Sequence, residues 1–381
     1  MHNGKILFAD PIGHVLGFHD REICNHLAGS GLNVMLVTNE HYPYDDSKAS
    51  YPVVRAFQGI VGSASFITKG IHYLRSLARL LQEADRFRPD LLVYYYIIHP
   101  TLDRLFFSLL RRRHHKTLIA VHDVTPFVSE EGVRSCYRRL YHSVPEILTF
   151  GAYAKNELVN TYGIGSEKVH NLFLAVECPP ETGIERKRLV SNRFGLTADA
   201  PVILCFGQIK QNKGLEYLLQ GFSTVAEHFP QAKLVVAGRP WKVDMAPFHD
   251  LARRLGIENQ TVFRSELIPE DEVHDYMMAA DLLVLPYTRL YQSAALPLAC
   301  SYGKPVVATT VGSIPEILED GNTGYLVPPR DAAALSNAMQ EALRDPVEAE
   351  RRGRNARELM QQRYSWNEFG KGLSEIIRSI S

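Results

Sequence analysis

Short continuous apolar runs alternate along this chain with longer stretches whose apolar positions recur at helical spacing. The first kind reads as strands buried on both faces, the second as helices with one buried face. Lys5–Ala9 predicts a strand, and a turn with Pro11 and Gly13 follows. Ile23, Leu27 and Ala28 mark a helix that Gly29 and Gly31 end, and Leu32–Thr38 predicts the next strand. Further strands are predicted at Leu91–Tyr96, Thr117–His122, Glu146–Phe150 and Val169–Leu174. Helices are predicted at Thr68–Phe87, Thr101–Arg112 and Ala152–Tyr162.

Cys178-Pro-Pro-Glu-Thr-Gly183 breaks the pattern and reads as a linker. The alternation then restarts. Strands are predicted at Val202–Phe206, Lys233–Ala237, Thr261–Arg264 and Leu282–Pro286, with helices at Leu215–His228, Met245–Leu255 and Glu270–Ala280. Trp366–Ile380 is a long amphipathic helix. Two alternating halves predict an α/β chain of two doubly wound, Rossmann-like domains facing across a cleft. Their bounds are 1–178 and 179–365, with the helix at 366–381 packing back on the first. The stretch from Asp281 to Pro329 reads as strand, loop, helix, strand, loop, helix. Its loops leave the carboxyl ends of strands, where open α/β sheets bind ligands.

Composition narrows the class. A chain of 381 residues is long for a single core. Its formal net charge is zero, so no nucleic-acid partner is expected. Five cysteines, at 24, 136, 178, 205 and 300, lack paired spacing, which fits reduced thiols in a cytoplasmic protein and no zinc site. The start enters a strand at once, without a signal peptide. The longest apolar run, Leu91–Ile98, is too short to cross a bilayer.

Three loops carry candidate chemistry. In Phe206-Gly-Gln-Ile-Lys-Gln-Asn-Lys-Gly214, Gly207 and Gly214 permit close backbone approach, and Lys210 and Lys213 add cations beside a helix start. That suits a diphosphate; an ordinary solvated loop fits the same spacing. In Tyr291–Ala295, Ser293 and the backbone N–H groups after it form either a phosphate nest or a helix cap. Gly312-Ser-Ile-Pro-Glu316 is a helix start whose Glu316 suits the first turn.

In order, Phe206-Gly-x5-Lys-Gly214, Val236-Ala-Gly-Arg239, Ala280-Asp-Leu-Leu-Val-Leu-Pro286, Gly303-Lys-Pro-Val-Val-Ala-Thr309, Gly312-x3-Glu316, Asp320-Gly-x2-Gly324 and Ser365-Trp366 run through the second half. This series resembles the donor domain of the retaining GT-B glycosyltransferases, family 4, and the first half fits the acceptor domain more loosely. The resemblance implies transfer of a sugar from a UDP- or GDP-sugar, with retention, to a glycan or lipid-linked acceptor. It makes His122, Lys213 and Lys210 the catalytic candidates. Gly13, Gly207, Gln208, Ser293, Ala294 and Ala295 become donor contacts, with Glu266 and Leu267 where backbone groups hold the base. His122 lies in Val121-His-Asp-Val-Thr-Pro126, which is similar to the family's histidine loop facing the donor sugar. No cofactor and no metal are implied.

The chain departs from the family at three places. Gln208 stands where an arginine is usual. Leu290 and Leu298 stand where two glutamates usually contact the donor sugar and the ribose. The Tyr-Gln-Ser-x-x-Leu pattern resembles a subgroup lacking that pair, except that Ala294 replaces the expected glycine. Two further expectations concern partners. The basic positions Lys69, His72, Arg75, Arg79 and Arg86, with Arg111–Lys116, read either as solvated helix edges or as a patch for an anionic membrane surface. The protein is then peripheral on the inner face of the membrane. A non-catalytic, sugar-nucleotide-binding or scaffold paralogue is the alternative; no residue series supports an epimerase or a phosphorylase.

Overall fold

A computed structural model of the chain describes residues 4–62, 65–125, 131–180 and 200–380, apart from the side chains of residues 14–16. The chain divides into two compact units: Met1–Phe173 with Trp366–Ser381, and Leu174–Ser365. The division falls five residues before the break read from the sequence, and residues 181–183 of that break lie outside the described residues.

The first unit holds β1 (Lys5–Ala9), β2 (Asn33–Asn39), β3 (Val53–Phe57), β4 (Leu91–Tyr94), β5 (Thr117–Val121), β6 (Glu146–Phe150) and β7 (Val169–Leu172). Its helices are α1 (Gly13–Gly29), α2 (Phe66–Phe87), α3 (Pro100–Arg112), α4 (Glu131–Ser143) and α5 (Ala152–Asn160). The strands are all parallel, in the order β3-β2-β1-β4-β5-β6-β7. Ile6 pairs with Val34 on one side and Leu91 on the other. The order reverses between β1 and β4, which opens the crevice where such sheets bind ligands.

The second unit holds β8 (Val202–Phe206), β9 (Lys233–Ala237), β10 (Thr261–Arg264), β11 (Leu282–Leu285), β12 (Val306–Thr309) and β13 (Tyr325–Val327). Its helices are α6 (Leu215–His228), α7 (Ala246–Arg254), α8 (Glu270–Ala279), α9 (Ala295–Ser301), α10 (Ile314–Ile317), α11 (Ala332–Arg344) and α12 (Pro346–Arg363). This sheet is also parallel, ordered β10-β9-β8-β11-β12-β13, and reverses between β8 and β11. α6 buries Leu215, Leu218, Leu219, Phe222 and Val225, the spacing of one helical face. Gly221 lets α11 come close, since a Cβ there would stand 2.8 Å from the Ala332 carbonyl oxygen.

α13 (Trp366–Ile380) belongs with the first unit and packs on α1 and β7. Trp366 meets Phe18 edge-on at 5.9 Å, and Phe369 stacks on Phe150 at 6.5 Å.

β3, α4, β13, α11 and α12 extend the sequence reading. β3 is an edge strand interrupted by Arg55, whose guanidinium pairs with Asp46. α4 is polar along most of its length and buries only Tyr137, Leu140 and Tyr141. Both patterns are too weak to stand out without their neighbours.

Candidate functional site

In the second unit the loops after β8, β11 and β12 meet. The first runs from Gly207 through a single tight turn, Gln211–Lys213, to Gly214. Gly214 has φ +72, and a Cβ there would lie 2.0 Å from the Pro286 carbonyl oxygen, so only glycine fits. Gly312, at φ +55, is held as tightly against the Leu290 carbonyl, 2.1 Å from where a Cβ would stand. Asn212 stitches the first two loops: its Nδ2 donates to Arg289 O at 2.8 Å, and its carbonyl accepts Thr288 N–H at 3.0 Å. Thr309 Oγ1 donates to Tyr287 O at 2.6 Å, which ties in the third.

Lys213 sits at the centre and is 2% exposed. Its Nζ donates to Phe206 O at 2.7 Å and to the Tyr287 hydroxyl at 3.0 Å, and lies 4.5 Å from the Tyr287 ring centre. Burial opposes its charge, but Tyr287 and Cys205 outweigh burial and hold its pKa above the ordinary lysine value. It is an ammonium at neutral pH. The Tyr287 hydroxyl is 3.2 Å from Ser293 Oγ, which accepts Leu296 N–H at 3.2 Å. A polar chain thus runs from Lys213 through Tyr287 and Ser293 into α9. A Cβ on Gly207 would lie 3.6 Å from Lys213 Nζ and 3.8 Å from the Ala295 Cβ.

The structure therefore brings together Gly207, Lys213, Ser293 and Ala295. Neither Ala294 nor Ala295 N–H has an acceptor among the described residues, as expected for helix-start donors. Tyr287, which links Lys213 to Ser293, is the residue that sequence reading misses; its one signal is its place directly after the Leu-Val-Leu-Pro run. Lys210 and Gln208 are exposed, and Lys210 is not among the hydrogen-bond partners of Lys213 Nζ. Ser293 does cap the α9 start through Leu296, although the helix begins two residues later. Leu290 is buried and Leu298 half-buried. Glu266 and Leu267 are exposed beyond β10, next to Arg264 Nε and Ser265 Oγ, buried polar atoms without a partner among the described residues.

In the first unit, His122 directly follows β5 and lies between the rings of Phe150, at 4.6 Å, and Tyr95, at 4.8 Å. Burial lowers its pKa to about 3, so it is neutral at physiological pH. A cavity of about 130 Å³ lined by Tyr96, His122, Asp123 and Tyr137 opens beside it. Pro126, at the end of the histidine loop, lies outside the described residues. Gly13 is buried: a Cβ there would lie 2.0 Å from Thr38 Oγ1 and 3.0 Å from Asp20 Oδ2. Its missing side chain thus makes room for Thr38 and Asp20. His19 is part-buried, and burial lowers its pKa to about 4.

Among the described residues no group of three or more His, Cys, Asp or Glu side chains could hold a metal ion. No described helix is long and apolar enough to cross a membrane.

Residues 200–345 match the family described as Glycosyl transferases group 1. The chain is 26% identical over 274 residues to alpha-D-kanosaminyltransferase of Streptomyces kanamyceticus, covering 70% of this chain and 69% of that protein. It is 28% identical over 269 residues to D-inositol 3-phosphate glycosyltransferase of Corynebacterium aurimucosum, covering 69% of this chain and 62% of that protein. The chain thus spans about two thirds of the length of these relatives. Sucrose-phosphate synthase from Thermosynechococcus elongatus superimposes with a TM-score of 0.82 at 19% identity, covering 99% of each chain. HepE of Anabaena, solved in complex with UDP-glucose, gives 0.78 at 17% identity, covering 98% of this chain and 99% of that one. Residues 200–345 are a glycosyl transferases group 1 domain, in a chain with the two parallel-sheet, Rossmann-like domains of the GT-B fold.

Proposed function

We propose that the protein moves a sugar from a nucleotide-sugar donor to an acceptor hydroxyl, with retention, in polysaccharide or glycolipid biosynthesis. The observation that carries this reading is Lys213, a buried ammonium fixed by Phe206 O and Tyr287 inside the group 1 domain. Breaking a glycosyl–phosphate bond puts negative charge on the leaving diphosphate. A preorganised cation stabilises that charge without reorganising during the reaction. Ser293 and the N–H groups of Ala294 and Ala295 supply neutral donors, and the exposed Lys210 adds charge from solvent. Neutral His122 orients a sugar hydroxyl. The leaving phosphate takes the acceptor proton during front-face attack, so no protein nucleophile and no metal is required.

The test is nucleotide release from a panel of UDP- and GDP-sugars in the presence of EDTA, with and without lipid-linked acceptors. UDP-glucose comes first, because HepE of Anabaena was solved with it. Release without metal supports the reading. Product with inverted anomeric configuration by NMR rejects the retaining step. The exposed Gln208 and the apolar side chains of Leu290 and Leu298 favour a second reading, a sugar-nucleotide-binding subunit without turnover. Tight donor binding with no release under any acceptor condition would select it.

The acceptor side of this reading is a lipid surface. The solvent face of α2 carries Phe66 (83% exposed), Ile67 (76%), Ile71 (48%) and Leu74 (51%), flanked by Arg75 and Arg79. Apolar anchors beside cations suit an anionic bilayer, each cation contributing roughly 1 kcal/mol, and support a peripheral position on the inner face of the membrane. Flotation with anionic liposomes at low salt tests it; protein left at the bottom of the gradient removes the idea.

A further inference from the structure

A cavity of about 810 Å³ lies at the amino-terminal ends of β1, β2 and β3. The candidate residues of this unit, His122 and Gly13, follow the carboxyl ends of β5 and β1, the other end of the same parallel sheet. The C-terminal half of α2 forms the cavity's wall. Met35, Val53 and Phe87 give it apolar lining. Met35 is only part-buried between Val34 and Leu36, which are buried, so its strand is open to the cavity at that point.

The charges around this lining are unequal. Arg55 and Asp46 neutralise each other at 2.8 Å, and Arg55 spends its other N–H groups on the carbonyls of Glu40, Tyr42 and Tyr44. Among the lining side chains that leaves Lys5, Arg79 and Arg86 against Glu83, while Asp90, outside the lining, accepts the Lys5 backbone N–H at 2.7 Å. Arg79 and Arg86 have no carboxylate partner among the described residues. Lys5 Nζ donates to Phe87 O at 3.3 Å and sits 5.5 Å over the Phe87 ring, which keeps it beside the apolar lining. A phosphate monoester carries about −1.5 to −2 near neutral pH, which matches the excess of two positive charges. Guanidinium forks suit phosphate oxygens, and the volume is that of a small-molecule site.

We propose that this cavity binds a phosphate monoester carried on an apolar chain, with the phosphate on Arg79, Arg86 and Lys5 and the chain over Met35, Val53 and Phe87. The inference stands independently of the transferase reading. It is tested by titrating the full chain with dihexanoyl phosphatidic acid, dihexanoyl phosphatidylcholine and inorganic phosphate, each below its micellar range, by calorimetry. Phosphatidic acid is expected to bind at least about tenfold tighter than inorganic phosphate. The exposed double change Arg79→Ser/Arg86→Ser is expected to weaken it about 10- to 30-fold. Three results overturn the proposal: no binding of phosphatidic acid, equal binding of inorganic phosphate or phosphatidylcholine, or binding that the arginine changes leave intact. UDP titrated into the same double variant reports separately on the donor site, so failure of one reading is distinguishable from failure of the other.

Discussion

Asp10 and Asp20 make the stability of the first unit depend on pH. Both are fully buried, at the end of β1 and within α1. Burial raises the Asp10 carboxyl from 3.8 to about 6, opposed in part by the Ile12 N–H, 2.8 Å from Oδ1, and by Asp20. Burial also pushes Asp20 well above the usual carboxylate range, and the neighbouring Asp10 raises it further. The folded chain therefore holds these protons more tightly than the unfolded chain. For Asp10 the stability this gives is fully present below 3.8 and is lost as pH rises through about 6. For Asp10 the whole effect is about 3 kcal/mol, of which about 2 kcal/mol is lost between pH of about 4.5 and about 8.

His19 and His122 titrate the other way, because burial lowers them from 6.5 to about 4 and about 3. They remove stability as pH falls below 6.5, so the pH profile of the native protein mixes both signs. Cys24 and Tyr95, also near Asp20, are pushed up and remain neutral throughout. A comparison removes the histidine contributions and leaves Asp10 with its effect on Asp20, which acts in the same direction. Asp10→Asn keeps an Oδ1 acceptor for Ile12 and cannot ionise, while the histidine contribution is common to both proteins and cancels. The chain has two tryptophans, and Trp366 belongs to the first unit. In a Trp241→Phe background, urea unfolding followed by Trp366 fluorescence reports on that unit. The stability of Asp10→Asn relative to its parent is expected to grow by at least about 2 kcal/mol between pH of about 4.5 and about 8. A difference that stays flat, or that shrinks as pH rises, refutes the reasoning.

Three further outcomes are expected. Lys213→Met should lower donor turnover about 100-fold or more, since it removes a preorganised cation; a rate within about threefold of the parent contradicts that role. Gly214→Ala should cost at least about 2 kcal/mol, because φ +72 and the Pro286 carbonyl leave no place for a methyl group; an unchanged urea midpoint refutes the close approach. His122, held neutral down to about pH 3, should contribute no limb near its ordinary 6.5 to the pH–rate profile. His122→Gln should lower the rate while keeping the limbs where they were, and a limb that disappears with the histidine contradicts this.

Much of the fold was legible in the chain itself. Lys5–Ala9, Glu146–Phe150, Val202–Phe206, Lys233–Ala237 and Thr261–Arg264 are strands with the bounds the apolar runs predict, and Leu215–His228 and Trp366–Ile380 are helices with theirs. Strands buried on both faces must be continuously apolar, and that demand is written locally. The edge strand β3 and the polar helix α4 were not legible, because each is fixed by neighbours more than by its own pattern. The site divided in the same way. Glycine and lysine spacing pointed to Gly207, Lys213 and the Ser293 loop, since tight turns and cations announce themselves by residue type. Only the tertiary structure separated Lys213, buried and bonded to Tyr287, from Lys210 in solvent, because burial and partnership depend on strands nearly eighty residues apart in sequence meeting at the β8–β11 reversal. It also turned Gly13 from an open loop glycine into the one residue small enough to sit against Thr38 and Asp20. Composition fixes which groups a chain can use; packing decides which of them keep a charge, a partner or access to water.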